Sequence, residues 1–221
     1  MHLNLKNMDT STLHKGDRFE HVFLNEPVDI HIIQEAGSTV KIHIQNLPSL
    51  QEKNEDRLNR IIIDQTGPNC TTEIYGLAYL QGEAKVTTET HVNHLVGEGK
   101  SDQLIKFVLE DQAQGRFLGE LKIAPDAQKV ESHQTNRNLV LSADAEMRTQ
   151  PQLEIYADDV QASHGASTGQ LDEAALFYMQ QRGISKQKAR QLLVNAFMMD
   201  VINTISEESL RENLINTLSL D

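Results

Sequence analysis

The residues able to do chemistry fall into three groups. Asp158 and Asp159 stand side by side in LEIYADDVQASHG, just ahead of His164. Paired carboxylates a few ångströms apart serve as acid and base in β-helical enzymes that cleave polysaccharides. Adjacent positions in a strand point to opposite faces, however, and aspartates between apolar runs make turns through their own side chains. A solvated turn is the better reading of this pair. HVNH at 91–94, with Glu89 and His133, supplies the donor types of a cupin-like metal enzyme. In an extended chain His91 and His94 face opposite sides, so one metal cannot take both without a bulge. Cys70 sits beside Thr71 and Thr72 with no nearby base to activate it, and reads as a small packed residue.

Composition narrows the classes further. The 221 residues carry 20 basic and 32 acidic side chains, a net charge of −12, and no basic stripe is visible. Phosphate backbones and anionic lipid surfaces would repel such a chain, so neither nucleic acid nor membrane is an expected partner. The N-terminal MHLNLKNMDTSTLHKGD lacks the apolar core of a signal peptide, and no run approaches a membrane span. One cysteine can form neither an internal disulfide nor a metal cage, which fits a reducing, cytoplasmic setting. No G-x-x-x-x-G-K-[ST] loop is present, so nucleotide binding of that kind is not expected.

These residues must be positioned by two kinds of element. From about Val22 to His164 apolar and polar residues alternate with the period of half-buried strands. VKIHIQNL places Val40, Ile42 and Ile44 on one face, with Lys41, His43 and Gln45 pointing away. KVTTETHVNH sets Val86, Thr88, Thr90, Val92 and His94 against Thr87, Glu89, His91 and Asn93, and RFLGELKIA aligns Phe117, Gly119, Leu121 and Ile123. Near the end of this region Leu153, Ile155 and Ala157 face inward, the two aspartates form a bend, and Val160, Ala162 and His164 share the next face. Sandwich, jelly roll and parallel β-helix all accommodate such strands. Strands rich in Thr, His, Asn and Gln, with few Asn-Gly or Asp-Gly hairpin signals, favour stacked coils, although no fixed-length repeat is visible.

Beyond Gly169 the period becomes helical. Asp172 caps EAALFYMQQR and Gly183 takes the left-handed position after it. Ser185 caps a second helix whose stripe is Ala189, Leu192, Leu193, Ala196 and Met199. Ser206, followed by two glutamates, starts a third through Leu210, Leu214, Ile215 and Leu218. Helices this short must lie on the sheet or on another protein.

Several motifs carry a resemblance. SDQ at 101–103, GRFLG at 115–119, AQK at 127–129, LEIYADDV, SHGASTGQLD and LFYMQQRGI together resemble the C-terminal half of the SufB/SufD family of iron–sulfur cluster assembly proteins, SufD more than SufB, from about residue 75 to 205. The resemblance implies a mainly β chain: a right-handed parallel β-helix over residues 1–168 and a small C-terminal α-helical domain over 169–221. It implies a non-catalytic subunit that pairs with SufB through the β-helix and recruits the ABC-type ATPase SufC through its helices. No tightly bound cofactor is implied for the chain alone; a transient iron–sulfur cluster belongs to the interface with SufB. His164 matches the family's histidine and is the metal candidate, while Phe177, Tyr178 and Arg182 form the surface expected to dock SufC. In isolation a homodimer through the same β edge is expected. Two departures stand out. Ala162 replaces the cysteine of the family's Asp-Asp-Val-x-Cys-x-His-Gly, and a methyl cannot ligate iron. Strands also begin where family members carry an N-terminal helical segment, which reads as a shortened chain or a misplaced start. The competing reading is a stand-alone β-helix or cupin-type enzyme, acting on a carbohydrate or using a bound metal.

Overall fold

The computed structural model describes residues 10–48 and 56–218. Its strands in chain order are β1 (Thr10–Leu13), β2 (Arg18–Leu24), β3 (Val28–Gln34), β4 (Thr39–Asn46), β5 (Asp56–Gln65), β6 (Thr71–Leu80), β7 (Lys85–His94), β8 (Lys100–Leu109), β9 (Gln114–Ile123), β10 (Val130–Val140), β11 (Glu146–Ile155) and β12 (Val160–Gly169). Three helices follow, α1 (Glu173–Gln181), α2 (Lys186–Ile202) and α3 (Glu208–Leu218). Odd-numbered strands form one six-stranded sheet and even-numbered strands another, and adjacent strands within each pair in parallel. The chain thus winds from sheet to sheet as a parallel β-helix, the architecture anticipated from the strand composition.

Alternation sends every second side chain into the coil. Val86, Val92, Phe117 and Leu121 are buried as expected, against Ile61, Ile63 and Phe107. The interior changes character along its axis. In one register column, Ile42 and Ile74 are followed by Gln103, Gln134 and His164. Gln103 and Gln134 are buried, and Gly119 leaves the room that Gln134 occupies, since a Cβ there would collide with its amide. Polar groups thus gather at the late coils of this column, whereas in the odd-numbered sheet the column of Gln34, Gln65 and His94 places them at earlier coils, ahead of Ile123.

One corner of the coil repeats a backbone state rather than a residue. Gly16, Gly37, Asn69, Glu98 and Lys129 all have positive φ, and backbone bonds join successive turns: Gly37 N–H donates to Pro68, Glu98 N–H to Gln128 and Lys129 N–H to Asp159. Left-handed backbone strongly favours glycine, yet two of these positions hold long charged side chains. That is why no sequence repeat marks the coil.

The helices pack on the outer face of the even-numbered sheet, where Leu47, Tyr75, Leu77 and Val108 meet Val194, Met198, Val201 and Ile202. Three expectations change here. His43 and Gln45 point away from the coil interior as predicted but are fully buried, because their face carries a second packed layer. The buried stripe of α2 runs through Ala189, Val194, Met198, Val201 and Ile202, whereas Leu192 and Ala196 are exposed; apolar residues surround this helix, so spacing alone could not phase it. Ser206 does not cap α3. Its N–H donates to Glu20 Oε1 at 3.1 Å and its hydroxyl accepts from Lys41 Nζ at 3.4 Å, tying the helical segment to the first coils. The other caps form as read: Asp172 accepts from Ala174 and Ala175, Ser185 accepts from Lys188, and Gly183 has φ 84°. Leu210, Leu214, Ile215 and Leu218 all join the packed layer. Residues 1–9, which precede the first coil, lie outside the described residues.

Candidate functional site

The last coil ends in two unpaired edges. Among the described residues β11 hydrogen-bonds only to β9 and β12 only to β10, so each of these ten-residue strands presents a free row of backbone donors and acceptors. The inward face of this coil is open as well. Ile155, expected to be inside, is 41% exposed because no coil follows to cover it. Asp158 and Asp159 occupy the bend between β11 and β12, as anticipated, and the bonds that hold it use main-chain groups: Asp159 N–H donates to Gln128 Oε1 at 2.8 Å and its carbonyl accepts from Lys129 at 2.6 Å.

On β12, Val160 and Ala162 pack against the small cluster of Ile123, Ala127, Val130 and Ala157. His164 follows on the same face, opposite Gln134 at the end of the polar column, and is exposed. Ala162 lies opposite Ser132, which shares a short hydroxyl hydrogen bond with Ser101. On the other face of β12, Ser163 Oγ bonds His133 Nδ1 at 2.8 Å.

The remaining histidines do not converge. His91 faces outward to Glu120 Oε2 at 3.1 Å, whereas His94 is buried within the coil and shares a 2.9 Å hydrogen bond with Ser101 Oγ. Burial lowers the pKa of His94 to about 4, so it is neutral at pH 7. Among the described residues no three His, Cys, Asp or Glu side chains are placed to hold a metal ion. The cupin-like grouping therefore does not assemble, for the reason strand geometry gives. Cys70 is a buried thiol 3.1 Å from the carbonyls of Glu35 and Gly67, packed under a turn. A hollow of about 480 Å³ on the outer face of the odd-numbered sheet is lined by Lys85, Glu89, Arg116, Glu146 and Arg148, with the signs of charge interleaved.

The aromatic residues of α1 are surface residues. Phe177 is 62% exposed, Tyr178 is similarly open, and the Arg182 guanidinium lies 5.2 Å from the Tyr178 ring centroid. Leu176 is the buried side chain that seats this helix, and the Asp172 cap with the Gly183 turn fixes its two ends. The three residues thus stand together on one short helix. Two ionisable residues are buried without being marked so by periodicity: Lys106, and His43, which the alternation places only on an outward face. Lys106 is enclosed between β8 and α2, and His43 lies beneath Glu20 and Tyr75 with its pKa lowered to about 4, mainly by burial. A lysine at an outward position within the apolar LIKFVL was the available signal for the first.

Comparison with known proteins points one way. A family model described as SUF system FeS cluster assembly, SufBD core domain, matches residues 28–197. The iron–sulfur cluster assembly protein SufD of Escherichia coli K12 is 37% identical over 149 residues, which is 67% of this chain and 35% of that protein. An iron–sulfur cluster assembly SufBD family protein of Synechocystis is 37% identical over 152 residues, 67% of this chain and 33% of its own length. SufD of Bacillus subtilis is 32% identical over 158 residues, 67% and 36% of the two chains. The chain spans about a third of the length of these curated relatives.

Proposed function

We propose, because the chain belongs to the SufB/SufD family, that it is a scaffold subunit of the SUF machinery for iron–sulfur cluster assembly. It pairs through the last coil of its β-helix with a SufB-like chain and offers its helices to the ATPase SufC. The observation that carries the pairing is the nature of β12. Exposed edge strands in stable monomers are blunted by charge, proline or shortness, yet VQASHGASTG is ten residues long with no lysine, arginine, acid or proline. Such an edge calls for a partner strand, and a second copy of this chain satisfies it when SufB is absent.

In this arrangement the subunit carries no reaction of its own. The cluster is cargo formed at the junction, where His164 can supply an imidazole from the open end of the coil while the partner supplies thiolate. Phe177, Tyr178 and Arg182 form the docking face for SufC, aromatic and arginine side chains being common anchors of interfaces. The test is co-expression with SufB and SufC from one source, followed by size exclusion. A stable complex is expected, weakened by Phe177→Ala with Tyr178→Ala. A folded chain that joins neither partner sinks the proposal. His164→Ala separates the two roles: it should leave assembly intact and reduce cluster maturation in cells, and normal maturation removes the histidine from the site.

A further inference from the structure

Lys106 projects from the outer face of β8 into the layer beneath α2, its side chain 1% exposed. Its Nζ donates to Asp200 Oδ2 at 2.6 Å and to the Phe197 carbonyl at 2.7 Å, and stands 4.3 Å from the Phe197 ring centroid. All three contacts come from one stretch of α2. Within the sheet, the residues beside it in register are Leu77 on β6 and Arg137 on β10. One of these neighbours is apolar and the other has the same sign, so the sheet offers no compensation. Neutralisation of this buried ammonium falls to Asp200.

The partners are unequal in a way that matters. Lys106 is sealed, but the Asp200 side chain is 57% exposed. We infer that the pair is a latch that fixes α2 on the coil and can be opened from the solvent side. Any cationic side chain of a docking protein that draws Asp200 away leaves an uncompensated ammonium under the helix. A buried charge stripped of its partner disfavours the packed state far more than an apolar side chain of similar length would. The helices, released together from β6 and β8, then move relative to the coil. Lys106 and Asp200 act here as positioning residues, and their use in assembly rests on the proposal that the helices carry the docking surface.

Hydrogen exchange of the full chain, read by mass spectrometry, tests the latch without any partner. Asp200→Asn removes the charge from a half-exposed position and should speed exchange across α2 and α3 by about a hundredfold, leaving the amides of β7 and β9 unchanged. Lys106→Met replaces the ammonium by an apolar chain of similar length, and both it and the double variant Lys106→Met/Asp200→Asn should stay within about tenfold of the native chain. The latch is refuted if Asp200→Asn exchanges within about threefold of the native chain. It is equally refuted if the double variant is as loose as Asp200→Asn alone, for the carboxylate would then act other than through Lys106. Failure to capture SufC would count against the docking proposal and leave these rates untouched.

Discussion

Acid should unfold this protein through its interior, and His94 is where the effect can be isolated. The imidazole is enclosed in the coil, with Nε2 bonded to Ser101 and, among the described residues, no hydrogen-bond partner for Nδ1. Burial lowers its pKa from 6.5 to about 4. Between those two values the unfolded chain holds a proton that the folded chain does not, so stability falls as pH falls through this window and is unaffected above it. At 1.36 kcal/mol per unit, the full shift corresponds to about 3 kcal/mol, with about 2 kcal/mol lost between pH 7 and 4.5. His43 titrates in the same direction with a pKa also near 4, so the native chain's slope contains both. The substitution that separates them is His94→Gln, because glutamine already fills the same register column at Gln34 and Gln65. Urea unfolding followed by circular dichroism at a series of pH values gives the difference between the two proteins. That difference should shift in favour of the variant by about 2 kcal/mol from pH 7 to 4.5. Parallel pH dependence of the two would show that the buried imidazole is not what titrates.

Two further outcomes follow from backbone geometry. A Cβ at Gly99 would collide with Gln65 Oε1 and His94 Nδ1, so Gly99→Ala should destabilise by about 1–3 kcal/mol through overpacking, measured by the same unfolding curves; an unchanged midpoint would mean that this corner yields freely. Lys129 holds φ 60° in the turn stack, and Lys129→Gly should raise stability by up to about 1 kcal/mol, since glycine adopts that backbone without strain. Thermal unfolding checks it, and a lowered midpoint would show that the lysine side chain contributes more than its backbone costs.

Legibility in the sequence tracked how local each determinant is. The alternation of Val86, Thr88, Thr90, Val92 and His94 and the caps at Asp172 and Ser185 depend on neighbours within one element, and all formed as read. The coil repeat did not show, because the conserved quantity at its corner is a φ angle that Gly37, Asn69, Glu98 and Lys129 each adopt. Long-range partners were invisible for a related reason. Ser206 looks like a cap until Glu20 is brought to its N–H from the far end of the chain. Lys106 looks like a solvated lysine until α2 closes over it. The positions of His164 and of Phe177, Tyr178 and Arg182 became meaningful through resemblance to a family. Periodicity placed His164 on a face but not at the open end of a tube.

The polar column that ends at His164 bears on what pairing would do to that residue. Along its column, Gln103 and Gln134 are buried amides and His164 is the exposed last member. A strand added to β12 would extend the even-numbered sheet by one register step and place another side chain over the imidazole. His164 would then occupy the kind of position that His94 holds now, withdrawn from water. On the proposed arrangement, pairing would thus enclose this imidazole at the junction. Diethylpyrocarbonate, which acylates accessible neutral imidazole, should modify His164 in the isolated chain under conditions where it is monomeric and spare it in the complex with the SufB-like subunit. Equal labelling in both states would mean that the partner strand leaves this face uncovered, and the histidine could not then be a ligand enclosed by the junction.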